Sequence, residues 1–499
     1  RTESEHTLSD FPLVKLTERQ LERLQKAYGH IADIYPLSPI QQGMLFHSLL
    51  KPGDGTYLTQ FVCELAGNLN KEAFRAAWQH VVNSHSSLKA CFEAEIVSDE
   101  PVQVIANSVD LNFHYGDWSD ATGAEREHKL REFLDQDRER GIDLKTAPLM
   151  RFALFKAEPF RNIFVWSSHH LLMDGWSLPI LLKDVFAAYE QIRHGHRAQV
   201  RMGRPYKDYI GWLKAQDLSD TEAFWRHLLA GFAAPVSLRS LQSTATTRKA
   251  EQFTEREIRL PQAATNRLQA VVREHQLTLS ALAHTAWALL LSSYTGTSDV
   301  VFGMVVSGRP TEIAGVESMV GVFINTLPVR MHISDEVDLV PWVKELQKQQ
   351  AEISQHGHVP LAQVQAWSEL PRPTRLFESI LVFENYPDID AAHWADNSSE
   401  QIQISNIHAL ERSNYPITVW IMPGREISLK IGYDASHLDS VKMAGLLDDY
   451  RALLEVMATN PQTKVAEILK TIITARQTLS GRDGIDELRD APAFSISTE

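Results

Sequence analysis

The densest group of side chains that could do chemistry lies near residue 170, where residues 167–176 read SSHHLLMDGW. A neutral imidazole at His169 or His170 could accept a proton or a hydrogen bond from a nucleophile. Asp174 could orient a histidine ring or pair with an arginine, and Gly175 permits a positive φ angle or a close backbone approach. The pattern indicates acid–base or positioning chemistry, with a purely structural histidine pair as the alternative.

This segment lies between a predicted strand and a predicted helix. Residues 162–169 are rich in Phe, Val, Ile and Trp and predict a strand, and residues 178–192 predict a helix with Ser177 as its N-cap. Because side chains alternate along a strand, His169 and His170 should point to opposite faces, and only one of them should face a given cleft.

Other catalytic signatures are missing from the sequence. It has no Gly-x-Ser-x-Gly, Walker or Gly-x-Gly-x-x-Gly motif, which argues against serine-hydrolase and nucleotide-dependent chemistry. The His-His-x-x-x-Asp spacing could hold a metal, but no third or fourth ligand is evident near it, so we expect none. Cys63 and Cys91 are too few for a disulfide framework or a four-thiolate zinc site.

Composition narrows the function further. The 499 residues carry 49 Lys and Arg against 63 Asp and Glu, a net charge of −14, which argues against nonspecific nucleic-acid binding. No apolar run approaches the roughly 20 residues of a membrane span, and the polar N-terminus has no signal-peptide core. We therefore expect a cytoplasmic protein with no membrane partner. The missing start Met and polar ends suggest a piece excised from a longer chain.

Hydrophobic periodicity predicts strands and helices mixed along two halves of similar size, and hence α+β lobes. We place a linker or the tail of a preceding domain at 1–30, an N-terminal lobe at 31–200, a C-terminal lobe at 201–475 and a second linker at 476–499. The helices predicted are 71–84, 178–192, 264–274, 279–293 and 440–457. The strands predicted are 149–155, 162–169, 300–306, 379–383, 415–421 and 427–433.

The segment from His169 to Gly175 matches the His-His-x-x-x-Asp-Gly motif of condensation domains of nonribosomal peptide synthetases. Their chloramphenicol-acetyltransferase-like relatives share this motif. Other matches follow in the family's order and make the resemblance specific over about residues 30–475. They are 35–47 (YPLSPIQQGMLFH), 206–209 (YKDY), 307–310 (SGRP), 320–330 (VGVFINTLPVR), 358–361 (HVPL) and 376–387 (LFESILVFENYP).

The resemblance implies two acetyltransferase-like lobes arranged as a V-shaped pseudo-dimer with a central tunnel. An upstream peptidyl or aminoacyl thioester would be transferred to the α-amine of a downstream aminoacyl thioester, forming a peptide bond in antibiotic or siderophore biosynthesis. The domain would need no cofactor of its own, because phosphopantetheine arms on the donor and acceptor peptidyl carrier proteins bring both substrates. Adenylation and epimerisation domains would be its neighbours, and the excised domain would be monomeric.

The resemblance also implies roles for individual residues. His170 would lie at the tunnel centre, either as a general base for the amine or as a group that only positions it. His169, Asp174 and Gly175 would complete the catalytic motif, and the backbone near Gly175 could supply an oxyanion donor. Expected along the tunnel are Trp176, Ser307 and Asn325.

One motif departs from the family. Its usual Arg-His-x-x-Leu-Arg segment reads Ser84-His85-Ser86-Ser87-Leu88-Lys89 here. Lysine keeps the charge of arginine but loses its planar, bidentate fork. We therefore predict that Asp174 forms a structural ion pair with Arg309 instead.

The sequence also bears on the subtype of condensation domain and on the alternative functions. Residues 42–47 and 382–387 look most like the subtype that accepts a D-configured donor, and residues 7–13 resemble the tail that precedes such domains. An epimerisation domain would carry a Glu-Gly-His-Gly-Arg-type motif, but residues 356–358 (HGH) lack its Glu and Arg. Heterocyclisation domains replace the histidine pair with aspartates. A silent carrier-protein docking module and a free-standing coenzyme A acyltransferase are further alternatives.

Overall fold

The computed structural model describes residues 6–97, 100–199, 203–236, 238–243, 253–334, 336–384 and 402–480. The helices are α1 (Glu18–Tyr28), α2 (Pro39–Leu50), α3 (Lys71–Ser84), α4 (Gly123–Arg140), α5 (Ser177–Arg193), α6 (Lys207–Lys214), α7 (Ser219–Leu229), α8 (Gln262–His275), α9 (Leu279–Thr295), α10 (Leu339–Gln355), α11 (Leu361–Trp367), α12 (Ser440–Thr459) and α13 (Val465–Ser480). The strands are β1 (Ile31–Pro36), β2 (Leu58–Ala66), β3 (Ala90–Glu93), β4 (Val102–Ala106), β5 (Phe113–Asp117), β6 (Met150–Glu158), β7 (Arg161–His169), β8 (Phe253–Arg259), β9 (Asp299–Val306), β10 (Asn325–His332), β11 (Ser379–Phe383), β12 (Gln403–Leu410), β13 (Ile417–Met422) and β14 (Ser428–Asp434).

The first lobe is built on a five-stranded sheet in the order β12-β2-β7-β6-β5. Strand β7 is buried at every position after Arg161 because both of its faces are covered. Phe164 and Trp166 pack with Trp78 of α3 on one face, while Ile163 and Val165 belong to the cluster on the α4 face. This packing fixes the end of β7 at His169.

The second lobe is built on a six-stranded sheet in the order β10-β9-β11-β13-β14-β8. Helix α9 is buried around its whole circumference from Ala281 to Leu291, as expected for a helix that is apolar on every side. Its Trp287 ring packs against Tyr450 of α12. Two sheet-based lobes with helices packed on them confirm the predicted mixed α+β fold.

The second half of the chain contributes segments to the first lobe. Strand β12 comes from the second half but pairs with β2 in the first lobe's sheet, with Leu410 opposite Gln60. Ile313 and Phe323, also from the second half, are buried in the first lobe's core. The boundary placed between residues 200 and 201 therefore separates the two sheets only in part.

The segment before β1, expected as a linker or tail, packs against the first lobe. Phe11, Leu21 and Leu24 are buried in that lobe's core, and Thr17 caps α1 by accepting the Gln20 N–H. None of the helices within the described ranges is both long enough and apolar enough to cross a membrane.

Most predicted elements lie where expected, and the helix at 71–84 and the strand at 379–383 agree to the residue. The N-cap of α5 was predicted wrongly. Trp176 occupies the cap position, and Ser177 is the first helical residue. The Ser177 hydroxyl and N–H instead both donate to Asp174 Oδ1, at 2.8 and 3.1 Å.

Candidate active site

A cavity of about 770 Å³ lies beside the end of β7 and is lined by residues from both halves of the chain. Trp166, Ser168 and His170 all line it, which follows the alternation of side chains along the strand. Ile380 and Val382 of β11 and Trp420 and Met422 of β13 also line the cavity. A largely apolar cavity with a few polar groups is the usual form of a small-molecule site.

His170 is held in this wall by both its backbone and its side chain. Its N–H donates to the Tyr57 carbonyl at 2.8 Å. Its Nε2 lies 3.3 Å from Oε1 of Glu411, and the side chain is 9% exposed. Among the described residues, Nδ1 has no hydrogen-bond partner. Among the described residues, the polar contact of the His170 ring is therefore made by Nε2.

The contact with Glu411 decides the charge of His170. Burial lowers the pKa of His170, but the Glu411 carboxylate raises it by more, so that the pKa lies at about 9. Burial raises the pKa of Glu411, yet the charge of His170 brings it below its ordinary value. The pair is therefore an imidazolium and a carboxylate at neutral pH, and in this state Nε2 donates a hydrogen bond and accepts no proton.

Glu411 is the functional residue that sequence reasoning missed. It follows β12, far from the histidine motif in sequence, and reaches His170 only because β12 joins the first lobe's sheet beside β2. Its side chain is 30% exposed and lines the cavity. No sequence motif marks Glu411, so it can be identified only from the pairing of β12 with β2.

Tyr57 links the two segments that carry this pair. Its carbonyl accepts the His170 N–H, and its own N–H donates to the Arg412 carbonyl at 2.9 Å. Its hydroxyl donates to Asn414 Oδ1 at 2.8 Å. The residue adopts a left-handed φ of 64°, which orients its peptide groups toward both neighbours.

His169 is held away from the cavity and serves structure. Its Nδ1 accepts the Leu171 N–H at 3.2 Å, so Nε2 carries the proton and donates to Ser48 Oγ at 3.2 Å. Burial lowers the pKa of His169 to about 3, and the neighbouring His170 adds to this effect. His169 is not among the described residues that line the cavity, and its part in catalysis stays a prediction.

Asp174 lines the cavity, and both of its carboxylate oxygens are bonded within the protein. Its Oδ1 accepts from Ser177 and from Arg309 Nη2 at 3.1 Å, and its Oδ2 accepts the Phe323 N–H at 3.0 Å. The side chains of Asp174 and Arg309 are 0% and 6% exposed. This is the ion pair expected from the sequence, and it ties the motif to the second half of the chain. A carboxylate with both oxygens engaged and no exposure is a support for the site.

Arg309 is held from several directions. Its Nη1 donates to the carbonyls of Val316 and Met319 at 2.6 and 2.9 Å, and its guanidinium lies 4.0 Å from the centre of the Phe323 ring. Lys89, in the departing motif, instead donates to the Asn107 carbonyl at 2.9 Å. Arg309 thus supplies the partner that Asp174 needs.

Gly175 lines the cavity, and its N–H donates to no acceptor within the described part of the chain. Asn325 also lines the cavity, but its amide is engaged within the protein: Nδ2 donates to the carbonyls of Gly357 and Val359 at 2.8 and 2.7 Å. Asn325 therefore positions the loop before α11.

Trp176 and Ser307, predicted along the tunnel, are not among the described residues of the cavity wall. The Trp176 ring turns toward the second half, where Nε1 donates to the Glu317 carbonyl at 3.0 Å. Ser307 is exposed just beyond β9. The described residues include no group of three or more His, Cys, Asp or Glu side chains suited to a metal ion.

Comparison with known sequences finds one family. The family described as "Condensation domain" matches residues 31–479. One protein of the linear gramicidin synthase from Brevibacillus parabrevis is 41% identical over 464 residues, which span 93% of this chain and 6% of that protein. A second protein of the same synthase is 39% identical over 92% of this chain and 9% of its own length. The chain thus spans less than a tenth of these relatives.

Solved structures agree in fold. The first condensation domain of the calcium-dependent antibiotic synthetase, in complex with a substrate analogue, matches with a TM-score of 0.73 at 16% identity. The match covers 88% of this chain and 99% of that one. The X-domain from teicoplanin biosynthesis matches with a TM-score of 0.72 at 22% identity, over 86% and 96% of the two chains.

Proposed function

The chain belongs to the condensation domains of nonribosomal peptide synthetases, which are amide-bond-forming acyltransferases, and we propose that it joins two carrier-bound substrates beside His170. The donor is an upstream peptidyl or aminoacyl thioester, and the acceptor's α-amine attacks its carbonyl carbon. The observation that carries this proposal is the buried His170, in contact with Glu411, at the wall of a cavity shared by both lobes.

The chemistry needs little beyond positioning and proton transfer. The amine nitrogen bonds to the thioester carbon, the C–S bond breaks, and the proton lost by the nitrogen ends on the leaving thiolate. As an imidazolium, His170 can donate to the developing oxyanion or to the thiolate and then recover a proton from the nitrogen. The free N–H of Gly175 can serve as an oxyanion donor. Holding two tethered substrates in attack geometry contributes about 7–11 kcal/mol toward the barrier.

The substrates arrive on phosphopantetheine arms of donor and acceptor peptidyl carrier proteins, with no cofactor bound by the domain itself. Neighbouring adenylation and epimerisation domains of one synthetase would load the acceptor and set the configuration of the donor. Support comes from the relatives, which are named as parts of a synthase and are many times longer than this chain.

The donor is D-configured in this proposal. The support is the sequence resemblance of residues 42–47 and 382–387 to that subtype, of which 385–387 lie outside the described residues. Gln42, His47 and Val382 line the cavity, so the residues that carry the resemblance are in a position to contact a substrate.

Isomerisation is the nearest alternative, since Glu411 supplies a second acid–base group that the sequence did not reveal. A two-base isomerase needs its two groups on opposite sides of the substrate's α-carbon. Glu411 and His170 are in direct contact at 3.3 Å, which leaves no space for a carbon atom between them. This geometry favours acyl transfer.

The test is amide formation between separately prepared donor and acceptor carrier proteins, with donors loaded in D or L form. Intact-protein mass spectrometry follows the mass gained by the acceptor carrier. His194→Ala is the matched control, because that side chain is 57% exposed just beyond α5. We expect transfer that prefers the D donor and persists in the control. Transfer of L donors alone would refute the subtype, and racemisation without transfer would refute the proposed function.

A further inference from the structure

Glu411 has a role that the histidine motif does not contain. We infer that Glu411, brought into the first lobe by β12, is a positioning residue that holds the His170 ring in its charged form with Nε2 at the cavity wall. The inference rests on the proposed function, because the state of His170 matters for transfer only if His170 acts at the reaction centre.

Strand pairing and hydrogen bonds fix Glu411 relative to His170. Leu410, the residue before it, is paired with Gln60 of β2, and β2 is in turn paired with β7. The carbonyl of Arg412, the residue after it, accepts the Tyr57 N–H. The Tyr57 carbonyl accepts the His170 N–H, so one residue connects both segments. The contact thus belongs to one rigid part of the first lobe, although its partners come from opposite halves of the chain.

The charges around the pair single out Glu411. On the motif itself, Asp174 raises the pKa of His170 less than Glu411 does, and its carboxylate is paired with Arg309. His169 is neutral and bonded to Ser48. Glu411 is the described carboxylate that contacts the His170 ring.

A second group of charges lies behind Glu411. Lys430 of β14 pairs with Glu255 of β8 at 3.5 Å, and Lys430 also lowers the pKa of Glu411. Glu384, which follows β11, lines the same cavity, and burial raises its pKa to about 7. Glu384 has no ion pair with His170, so it offers a matched control for the loss of a carboxylate from this wall.

The chemical consequence is a fixed donor. While Glu411 is ionised, His170 carries both ring protons at neutral pH. Its Nε2–H is directed to Glu411, and its Nδ1–H, which has no partner among the described residues, is the ring donor left for the thioester oxygen or the leaving thiolate. Without that carboxylate, the buried ring should lose its charge below neutral pH, because burial alone lowers the pKa of an imidazole. It would then lack the constraint that keeps Nε2 at the wall.

The experiment follows the ring of His170 directly. The ¹³C–¹H signal of its Cε1 is assigned by its loss in His170→Ala and followed against pH in wild type, Glu411→Gln, Glu411→Asp and Glu384→Gln. We expect half-protonation near pH 9 in wild type, and in Glu411→Gln at or below the ordinary pKa of 6.5. Glu411→Asp should lie between them, and Glu384→Gln should stay near wild type. An unchanged His170 titration in folded Glu411→Gln would overturn the inference.

Kinetics provide the second readout. The charged form of His170 exists below its pKa, so amide formation should decline as the pH rises through about 9 in wild type. In Glu411→Gln this decline should move to lower pH, to about 6.5 or below, in step with the titration. A merely structural role would lower the rate equally at every pH. If the titration shifts but no enzyme form makes amide, the proposed function fails and the positioning contact stands. If amide forms and the titration does not shift, the positioning role fails alone.

Discussion

Replacing Asp174 by alanine should destabilise the protein strongly, because it leaves Arg309 charged and buried without its partner. The two side chains are 0% and 6% exposed, and Nη2 lies 3.1 Å from Oδ1. The carboxylate also accepts hydrogen bonds from Ser177 and from the Phe323 N–H. Removing one member of a buried ion pair costs about 3–5 kcal/mol.

The same reasoning predicts an unusual double variant. Asp174→Ala combined with Arg309→Met removes both charges and keeps an apolar side chain in the arginine's place. Since replacing a whole buried pair by apolar groups is often nearly neutral, the double variant should be more stable than Asp174→Ala alone. As a control, Asp208→Ala breaks an exposed pair with Arg204, whose side chains are 33% and 54% exposed. That change should cost less than about 1 kcal/mol.

The assay is urea unfolding followed by tryptophan fluorescence, with the transition midpoints of the four proteins compared. Lobes that unfold separately would give two transitions, and the affected one should shift in Asp174→Ala. A cost below about 1 kcal/mol for Asp174→Ala would refute the buried-pair argument. So would a double variant less stable than Asp174→Ala, because that would mean Arg309 stabilises the fold without Asp174.

Two further substitutions test the supports of the site. Gly308→Ala should destabilise the protein by about 1–3 kcal/mol, because φ at Gly308 is +58° and a Cβ there would overlap the Phe323 carbonyl oxygen. The measurement is the midpoint of thermal unfolding, and an unchanged midpoint would contradict this prediction. His169→Ala should cost about 1–3 kcal/mol by leaving the buried N–H of Leu171 unpaired, yet slow amide formation less than His170→Ala does. If stopped-flow or quenched assays show that His169→Ala and His170→Ala slow amide formation equally, His169 takes part in catalysis.

The helices, the strands and the histidine motif could be predicted from the sequence, because each depends on a pattern of neighbouring residues. Period-two alternation predicted that His169 and His170 would separate, and the structure places one in the cavity wall and the other against Ser48. The partner of Asp174 could also be predicted from the sequence. Position 89, where the family usually has an arginine, is a lysine here, so Arg309 in the turn of the second lobe was the candidate that remained.

The remaining features depend on long-range pairing that no local pattern encodes. Glu411 meets His170 only because β12 leaves the second half and extends the first lobe's sheet. Trp176 was expected in the tunnel, but the direction of its ring is set by the Glu317 carbonyl. Residues 1–30 were predicted as a linker or the tail of a preceding domain, although Phe11, Leu21 and Leu24 are buried in the first lobe's core.

The central claim is that amide formation takes place at His170. The most direct measurement is the single-turnover rate of transfer between loaded carrier proteins for wild type, His170→Ala and the His194→Ala control, with mass spectrometry of the acceptor carrier as the readout. If His170 moves a proton in the reaction, its loss should slow transfer by about 10²- to 10⁴-fold, while the control keeps the wild-type rate. A folded His170→Ala protein that transfers as fast as wild type would contradict the account.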